Sequence, residues 1–425
     1  MAGLFQWTMF APVLILAAFA SLAWLSQTPP VEAWRFSLSL FVAWLGFGWF
    51  AAVVPTRATL AAGVLCALAL RVVGFCTVPI YEDDWARYLW DGYRFLQDGT
   101  PYGYAPEAYT DDASLDDIWT AILAQVNNPA VPTIYAPTLQ YVFGFAAWAA
   151  PASLTALKAI FIAADLAIWA MIARIGGLAA GLRYALCPLV IFEVSMNAHA
   201  DIVGVALMVA SYALIRSERL LGSGVVFALA LACKPFAIIV APCFLQRKWY
   251  LVALGAGVAF ALLYLPFVVA GATEFEGLQV FSRWWEFNSF GFAGLKAVFG
   301  DPAARPLGFL LGAALATALA LRWRTKEPET VPPADLWLMA LLFFAPVINP
   351  WYLLWVVPWV CLRSNALTWS ILPAISVSYL TAGALGLAGP GFHDHPDWVR
   401  PLEIGVALAT YIATHRIRQK IRVDA

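Results

Sequence analysis

The stretch WYLVALGAGVAFALLYLPFVVAG, residues 249–271, contains no charged side chain. A helix needs about 20 apolar residues to cross the roughly 30 Å of hydrocarbon in a bilayer, so this stretch predicts a transmembrane helix. Similar runs recur at about 4–26, 36–55, 58–79, 155–173, 184–196, 200–215, 303–321, 334–347, 350–362, 366–388 and 401–415, with shorter apolar pieces at 137–150, 220–232 and 235–245. The pattern predicts an all-α, polytopic integral membrane protein with about 11–14 transmembrane helices.

The composition places the chain outside the range of soluble domains, because 62% of its 425 residues are hydrophobic and only 12% are charged. We expect one transmembrane domain over 1–425, with three N-terminal helices in 1–79, a large loop in 80–133, and the remaining helices and short loops in 134–425. The lipid bilayer is therefore an expected partner. A net charge of −1 without a basic cluster argues against a nucleic-acid partner.

Lysine and arginine collect in short loops, and such loops stay on the cytoplasmic side of a membrane. The segments 81–133, 197–201, 349–352 and 389–398, which are acidic or poor in charge, then lie together on the outer side. This orientation requires 134–173 to make one net crossing. We therefore expect 137–150 to be a re-entrant segment or to lie in the interface.

The outer segment 81–104, YEDDWARYLWDGYRFLQDGTPYGY, combines acidic, aromatic and polar residues. A helix from about 84 to 97 would place Asp84, Arg87, Tyr88 and Asp91 on one face. Its other face, mostly apolar, carries Trp85, Leu89, Gly92 and Leu96, which predicts an amphipathic helix lying on the membrane surface. Gly99 and Pro101 are typical helix stops.

The acidic run Glu82, Asp83 and Asp84 at the start of this helix has two interpretations. Carboxylates stabilise a helix N-terminus by about 0.3–1 kcal/mol, so the run can be a simple cap. Adjacent carboxylates also raise one another's pKa, as a general base requires.

Four motifs resemble those of polyprenol-phosphate-sugar-dependent glycosyltransferases of the C-type superfamily, particularly the bacterial mannosyltransferase-like group. They are EDDWARYLWDGYRFLQDGTPYGYAPEA at 82–108, VNNPAVPTIYAPTLQYVFGFA at 126–146, NAHAD at 197–201 and NPWYLLWVVPW at 349–359. Their order matches the family. Two residues depart from it: Asn128 stands where the family usually has histidine, and Ala136 replaces the first proline of a pair.

The resemblance implies transfer of a sugar, by family habit mannose, from a polyprenyl-phosphate donor to a glycolipid or glycan hydroxyl, with inversion. It implies a bacterial inner-membrane location with the active site facing outward. Asp83 and Asp84 become the candidate catalytic bases, which the motif does not separate. The candidate substrate-binding residues are Glu82, Arg87, Tyr88, Asp91, Tyr135, Asn197, His199, Asp201, Lys234, Arg283, Asn349 and Tyr352.

Lys234 is the candidate for the donor phosphate, because a lysine among apolar residues costs about 2.5–3.5 kcal/mol to insert and is retained for function. A hairpin over 220–245 would place it at the tip; the simpler interpretation is a lysine that reaches the headgroups. Arg87 is the second candidate, unless it pairs with Asp83 or Asp91 at helical spacing. His199 and Asp201 also have two interpretations. They are expected either to contact substrate or to join two helices by a hydrogen bond.

No cofactor is predicted. Asp83, Asp84, His199 and Asp201 are suitable ligand types for a divalent metal, but no contiguous ligand motif supports one. The histidines and aspartates of GFHDHPDW at 391–398 are expected to form an exposed turn. The main alternative to an enzyme is a polytopic transporter or flippase, although no repeated halves are visible in the sequence.

Overall fold

The structure of the protein is a computed structural model that describes residues 2–52, 56–245, 248–326, 330–387 and 391–423. Every regular element in these ranges is a helix, and one isolated parallel bridge joins Phe287 to Val347. The all-α prediction is confirmed for this part of the chain. Contacts divide it into two compact units.

The first unit comprises residues 1–81, 169–196 and 286–425. Its α-helices are α1 (Ala2–Ser26), α2 (Ala33–Ala52), α3 (Arg57–Phe75), the end of α7 (Leu154–Gly176), α8 (Leu178–Ala185), α9 (Pro188–Val190), α14 (Gly291–Phe299), α15 (Asp301–Lys326), α16 (Ala334–Phe343), α17 (Val357–Arg363), α18 (Ala366–Ala374) and α19 (Val399–Val423). A π-helical segment, Ile191–Met196, follows α9, and two 3₁₀ helices cover Pro350–Trp355 and Ile375–Tyr379.

The second unit comprises residues 82–168 and 197–285. It contains α4 (Asp84–Asp98), α5 (Asp117–Leu123), α6 (Pro137–Ala149), most of α7, α10 (Asp201–Arg216), α11 (Leu220–Leu231), α12 (Trp249–Ala270) and α13 (Phe275–Trp284). Two 3₁₀ helices cover Pro106–Tyr109 and Pro235–Phe244. All the acidic residues of the 81–104 segment belong to this unit.

Among the residues that the structure describes, five helices are long and apolar enough to cross a membrane, and the bent pair 178–185 and 188–196 would make six. The five are Ala33–Ala52, Arg57–Phe75, Leu154–Gly176, Trp249–Ala270 and Asp301–Thr325. The prediction of 11–14 crossings counted apolar runs. Several of these runs are divided by prolines that open a new short helix, as at Pro188, Pro235 and Pro350.

Helix α4 begins where predicted and ends one residue later, at Asp98, with Gly99 in the left-handed region at φ 74°. Part of the face predicted to lie on the membrane surface is covered by protein. Leu89 and Gly92, assigned to the membrane-facing side, are buried, because α6 packs against this helix. A Cβ atom on Gly92 would lie 2.4 Å from the carbonyl oxygen of Phe143. Only the last turn, with Leu96, is exposed.

Helix α6 is too short to cross the hydrocarbon by itself. Its 13 residues span about 20 Å at 1.5 Å per residue, against about 30 Å of hydrocarbon. Its length agrees with the re-entrant or interfacial segment expected at 137–150. Its first turn lies next to the acidic residues of α4.

Candidate functional site

The acidic run is held in place by its own first member. Glu82 accepts hydrogen bonds at Oε1 from the backbone N–H groups of Asp83, at 3.1 Å, and Asp84, at 2.9 Å. These are donors that the first turn of a helix leaves without intrahelical partners. The Oε2 atom of Glu82 lies 3.2 Å from Nε2 of His199, which is fully buried. Glu82 therefore links the start of α4 to the turn before α10.

Asp84 is held by two side chains from the segment between α5 and α6. Tyr135 donates its hydroxyl to Oδ2 at 3.1 Å, and the amide of Asn127 donates to Oδ1 at 3.3 Å. The same amide donates to Oδ1 of Asp83 at 2.5 Å. Asp83 is exposed, whereas Asp84 is half-buried. The two candidate bases thus share one amide and differ in their access to solvent.

The pKa values of the neighbouring carboxyls move in opposite directions. Burial raises the pKa of Asp84 to about 7, and the charge of Glu82 adds to this rise. Burial also acts to raise the pKa of Glu82, but the charge and hydrogen bond of His199 and the backbone N–H groups outweigh it and lower that pKa. Environments that move the pKa values of two carboxyls apart in this way are typical of a catalytic acid and its base. At neutral pH, Glu82 is ionised while Asp84 is poised to exchange a proton.

A divalent cation would find three suitable ligand atoms in this cluster. One atom each of Glu82, Asp84 and His199 lies within 4.8 Å of the others. Two carboxylates and an imidazole suit a borderline metal ion. However, the two carboxylates already receive hydrogen bonds from the backbone, Tyr135 and Asn127, so these contacts explain the arrangement without an ion.

Lys234 lies at the break between α11 and the 3₁₀ helix Pro235–Phe244, the tip predicted from the sequence. Its Nζ is 2.8 Å from Oδ1 of Asp201 and 5.3 Å from the ring centre of Phe236. The lysine side chain keeps 23% of its surface exposed, whereas that of Asp201 keeps 5%. Asp201 begins α10, two residues after His199. The ammonium is therefore fixed in position but remains reachable by a ligand.

Arg87 and Asp91 form a buried pair, with Nε and Oδ1 2.9 Å apart, which is one of the two pairings considered from the sequence. Arg87 also donates to the carbonyl of Val131 at 2.9 Å. Asp91 accepts from the hydroxyl of Thr133 and, at 3.2 Å, from the amide of Gln140. These bonds anchor the segment before α6 to α4. They favour a positioning role for Arg87 and Asp91 rather than contact with a donor phosphate.

Tyr135 is fixed from several directions. Its carbonyl accepts from the hydroxyl of Tyr102 at 2.9 Å and from Gln140 at 3.1 Å. Its ring meets that of the buried Tyr88 edge to face, with centres 5.1 Å apart, and Tyr88 stacks on Phe143 at 4.7 Å. The hydroxyl that reaches Asp84 therefore comes from a rigid support, as an active-site hydrogen bond requires.

The other predicted site residues differ in burial and in the unit to which they belong. Asn197 is buried immediately before the positive-φ residue Ala198. Arg283 is exposed on α13. Asn349 and Tyr352 belong to the first unit, where Asn349 is half-buried and Tyr352 is buried.

Sequence reasoning missed Asn127, Thr133, Gln140 and Tyr102. All four lie inside or next to the quoted motifs, but no local spacing predicts which of them reaches a carboxylate about 40 to 50 residues away. Asn128, at the position usually held by histidine, has φ 49°, a left-handed conformation that asparagine tolerates. Its side chain is exposed at this turn.

Comparison of the sequence with models of known protein families, and with curated protein sequences, found no match.

Proposed function

We propose that this protein is an integral membrane glycosyltransferase that moves a sugar from a polyprenyl-phosphate donor to a hydroxyl of a glycolipid or glycan, with inversion. By family habit the sugar is mannose, and the reaction takes place on the outer face of a bacterial inner membrane. The observation that carries the proposal is the Asp84 carboxyl, half-buried, held by Tyr135 and Asn127, with its pKa raised to about 7.

Asp84 serves as the general base in this reaction. The acceptor oxygen attacks the anomeric carbon while the bond from that carbon to the phosphate oxygen breaks. The acceptor proton passes to Asp84, and the bonding electrons leave with the polyprenyl phosphate. A base works best when its pKa lies near the working pH, which favours Asp84 over a fully exposed carboxylate. The hydrogen bonds from Tyr135 and Asn127 orient the oxygen that takes the proton.

Lys234 stabilises the leaving group. Negative charge grows on the phosphate as the glycosidic bond breaks, and a fixed cation lowers the energy of that state. The pair with Asp201 holds the ammonium at a set position, and 23% of the lysine side chain stays exposed, so a phosphate can approach it. Glu82 and His199 act through position, because they fix the start of α4 and the turn before α10.

The test is transfer of radiolabelled sugar from a panel of polyprenyl-phosphate sugars by the purified protein in liposomes, with glycolipid acceptors supplied. We expect incorporation from one donor, loss of that signal in Asp83→Asn/Asp84→Asn, and retention in Asp98→Asn. Asp98 is the matched control because it is exposed at the far end of the same helix. Equal incorporation by the double variant and the parent would contradict the proposal. Uptake of the donor without incorporation would indicate a flippase.

A further inference from the structure

The first unit contains a cavity of about 550 Å³ that the reaction described above does not use. It is formed by the segment before α14, with Glu286, Phe287 and Asn288, and by the segment that leads into α19, with His393, Asp397 and Arg400. Sites for small molecules usually measure about 300–1,000 Å³. The cavity is therefore large enough for a ligand of one or two sugar rings.

Phe287, which lines this cavity, is held in place by backbone hydrogen bonds. Phe287 donates its N–H to the carbonyl of Pro346 at 3.0 Å and accepts from the N–H of Ile348 at 2.9 Å. The ring of His395 lies 4.8 Å from that of Phe287, and one of its ring nitrogens is 2.8 Å from the carbonyl of Ser378. A site fixed before a ligand arrives loses less entropy when it binds.

Asn288 provides a buried acceptor atom, Oδ1, which differs from its amide nitrogen in its hydrogen bonding. Its side chain is 2% exposed, lines the cavity, and donates its amide to Oε1 of Glu403 at 3.2 Å. Its Oδ1 atom has no hydrogen-bond partner within the described ranges. A buried acceptor without a partner costs about 1–3 kcal/mol. A hydroxyl donated by a ligand would remove that cost after a small shift of the side chain.

The rim carries both donors and acceptors, with three carboxylates, those of Glu286, Asp394 and Asp397, against the guanidinium of Arg400. Glu286 is paired with Lys296 at 2.6 Å, and Asp397 stands three residues before Arg400. The carboxylates on this rim would repel a phosphate group. No set of cavity residues within the described ranges brings three metal-ligand atoms within 4.8 Å of one another. A neutral ligand rich in hydroxyl groups can donate to the carboxylates and accept from Arg400 and His393.

We propose that this cavity binds a neutral carbohydrate. Resting on the function proposed above, that carbohydrate is part of the acceptor glycan. A carbohydrate is indicated by the rings of Phe287 and His395, by the unpaired buried amide oxygen of Asn288, and by a rim that carries both donors and acceptors. The cavity contributes no catalytic group.

The binding test uses the full-length protein in nanodiscs, titrated with mannobiose, mannotriose and maltotriose and followed by saturation-transfer NMR. The variant is His393→Ala/Asp397→Asn, because both side chains are exposed on the rim and their loss leaves the fold intact. Arg400→Gln is the second variant, and Asp111→Asn, an exposed acid of the other unit, is the control. We expect the dissociation constant to rise at least about tenfold in each rim variant and to stay unchanged in the control.

Absence of saturable binding by the parent, or equal affinity in parent and rim variants, would overturn the cavity proposal. In the transfer assay, the rim variants should raise the acceptor KM about tenfold and leave the donor KM and kcat unchanged. Oligosaccharide binding that is lost in the rim variants, together with no transfer by the parent, would support the cavity and refute the proposed function. Transfer by the parent with an unchanged acceptor KM in the rim variants would support the proposed function and refute the cavity proposal.

Discussion

At the scale of single residues, the proposed reaction depends on the protonation state of Asp84. Burial and the charge of Glu82 raise its pKa to about 7, and a base must be deprotonated to accept a proton. We therefore expect kcat/KM to rise about tenfold per pH unit below pH 7 and to level off above it. The measurement is a pH profile between about pH 5 and 9 with a chelator present, so that no cation contributes. A flat profile would contradict the assignment.

Tyr135 offers a sharper test of the same carboxyl. Its hydroxyl donates to Asp84 and stabilises the ionised form, so Tyr135→Phe should raise the pKa of Asp84 further. The acidic limb of the profile should then move to higher pH by about 1 unit. Tyr104→Phe, which changes an exposed tyrosine of the same outer segment, is the control. A shift to lower pH, or the same shift in the control, would show that Tyr135 does not act through this bond.

At the scale of elements, the close contact of α4 and α6 positions the site. Gly92→Ala would place a Cβ atom 2.4 Å from the carbonyl oxygen of Phe143 and force the helices apart. We expect a loss of about 1–3 kcal/mol in the free energy of unfolding, measured as a lower Tm in detergent. Gly257→Ala, in helix α12 with no atom within 4 Å of the new Cβ, should not lower Tm. Equal Tm values for both variants would refute the role of this contact.

The sequence predicted α4 well because its signals are local. The acidic start, the apolar spacing and the stop at Gly99 lie within one segment, and the observed helix ends one residue beyond the predicted end. Its surroundings could not be predicted in the same way. Burial by α6 depends on the fit between Gly92 and the backbone near Phe143, which no periodicity describes. The choice of Asp91 over Asp83 as the partner of Arg87 also needed three-dimensional contacts.

The candidate site shows the same limit across long distances in the chain. The motifs contained Glu82, Asp84 and His199, and Lys234 stood out as a lysine among apolar residues. The structure brings Glu82 to His199 and Lys234 to Asp201. Nothing in the sequence indicated that Asn127 would bridge Asp83 and Asp84. Hydrogen bonds between distant segments depend on how their helices pack. The sequence therefore supplied residue types, and the fold supplied the partners.

At the scale of the whole molecule, the proposed function requires the segment that contains the site to face outward. Because basic loops favour the cytoplasmic side, the proposed orientation has Thr110 outside and Ser217 inside. Both residues are exposed, and the six native cysteines are free thiols that would first be replaced. We expect Thr110→Cys to react with an impermeant maleimide in intact cells and Ser217→Cys to react only after permeabilisation. The reverse pattern would invert the proposed orientation.

The most direct test of the central assignment is the single-turnover transfer rate of Asp84→Asn beside that of Asp83→Asn, with donor and acceptor both saturating. Loss of a general base costs about 10²–10⁴-fold in rate, so Asp84→Asn should slow transfer at least a hundredfold. Asp83→Asn, which changes the exposed neighbour, should stay within about tenfold of the parent. A parental rate in Asp84→Asn, or a larger loss in Asp83→Asn, would contradict the assignment of Asp84 as the base.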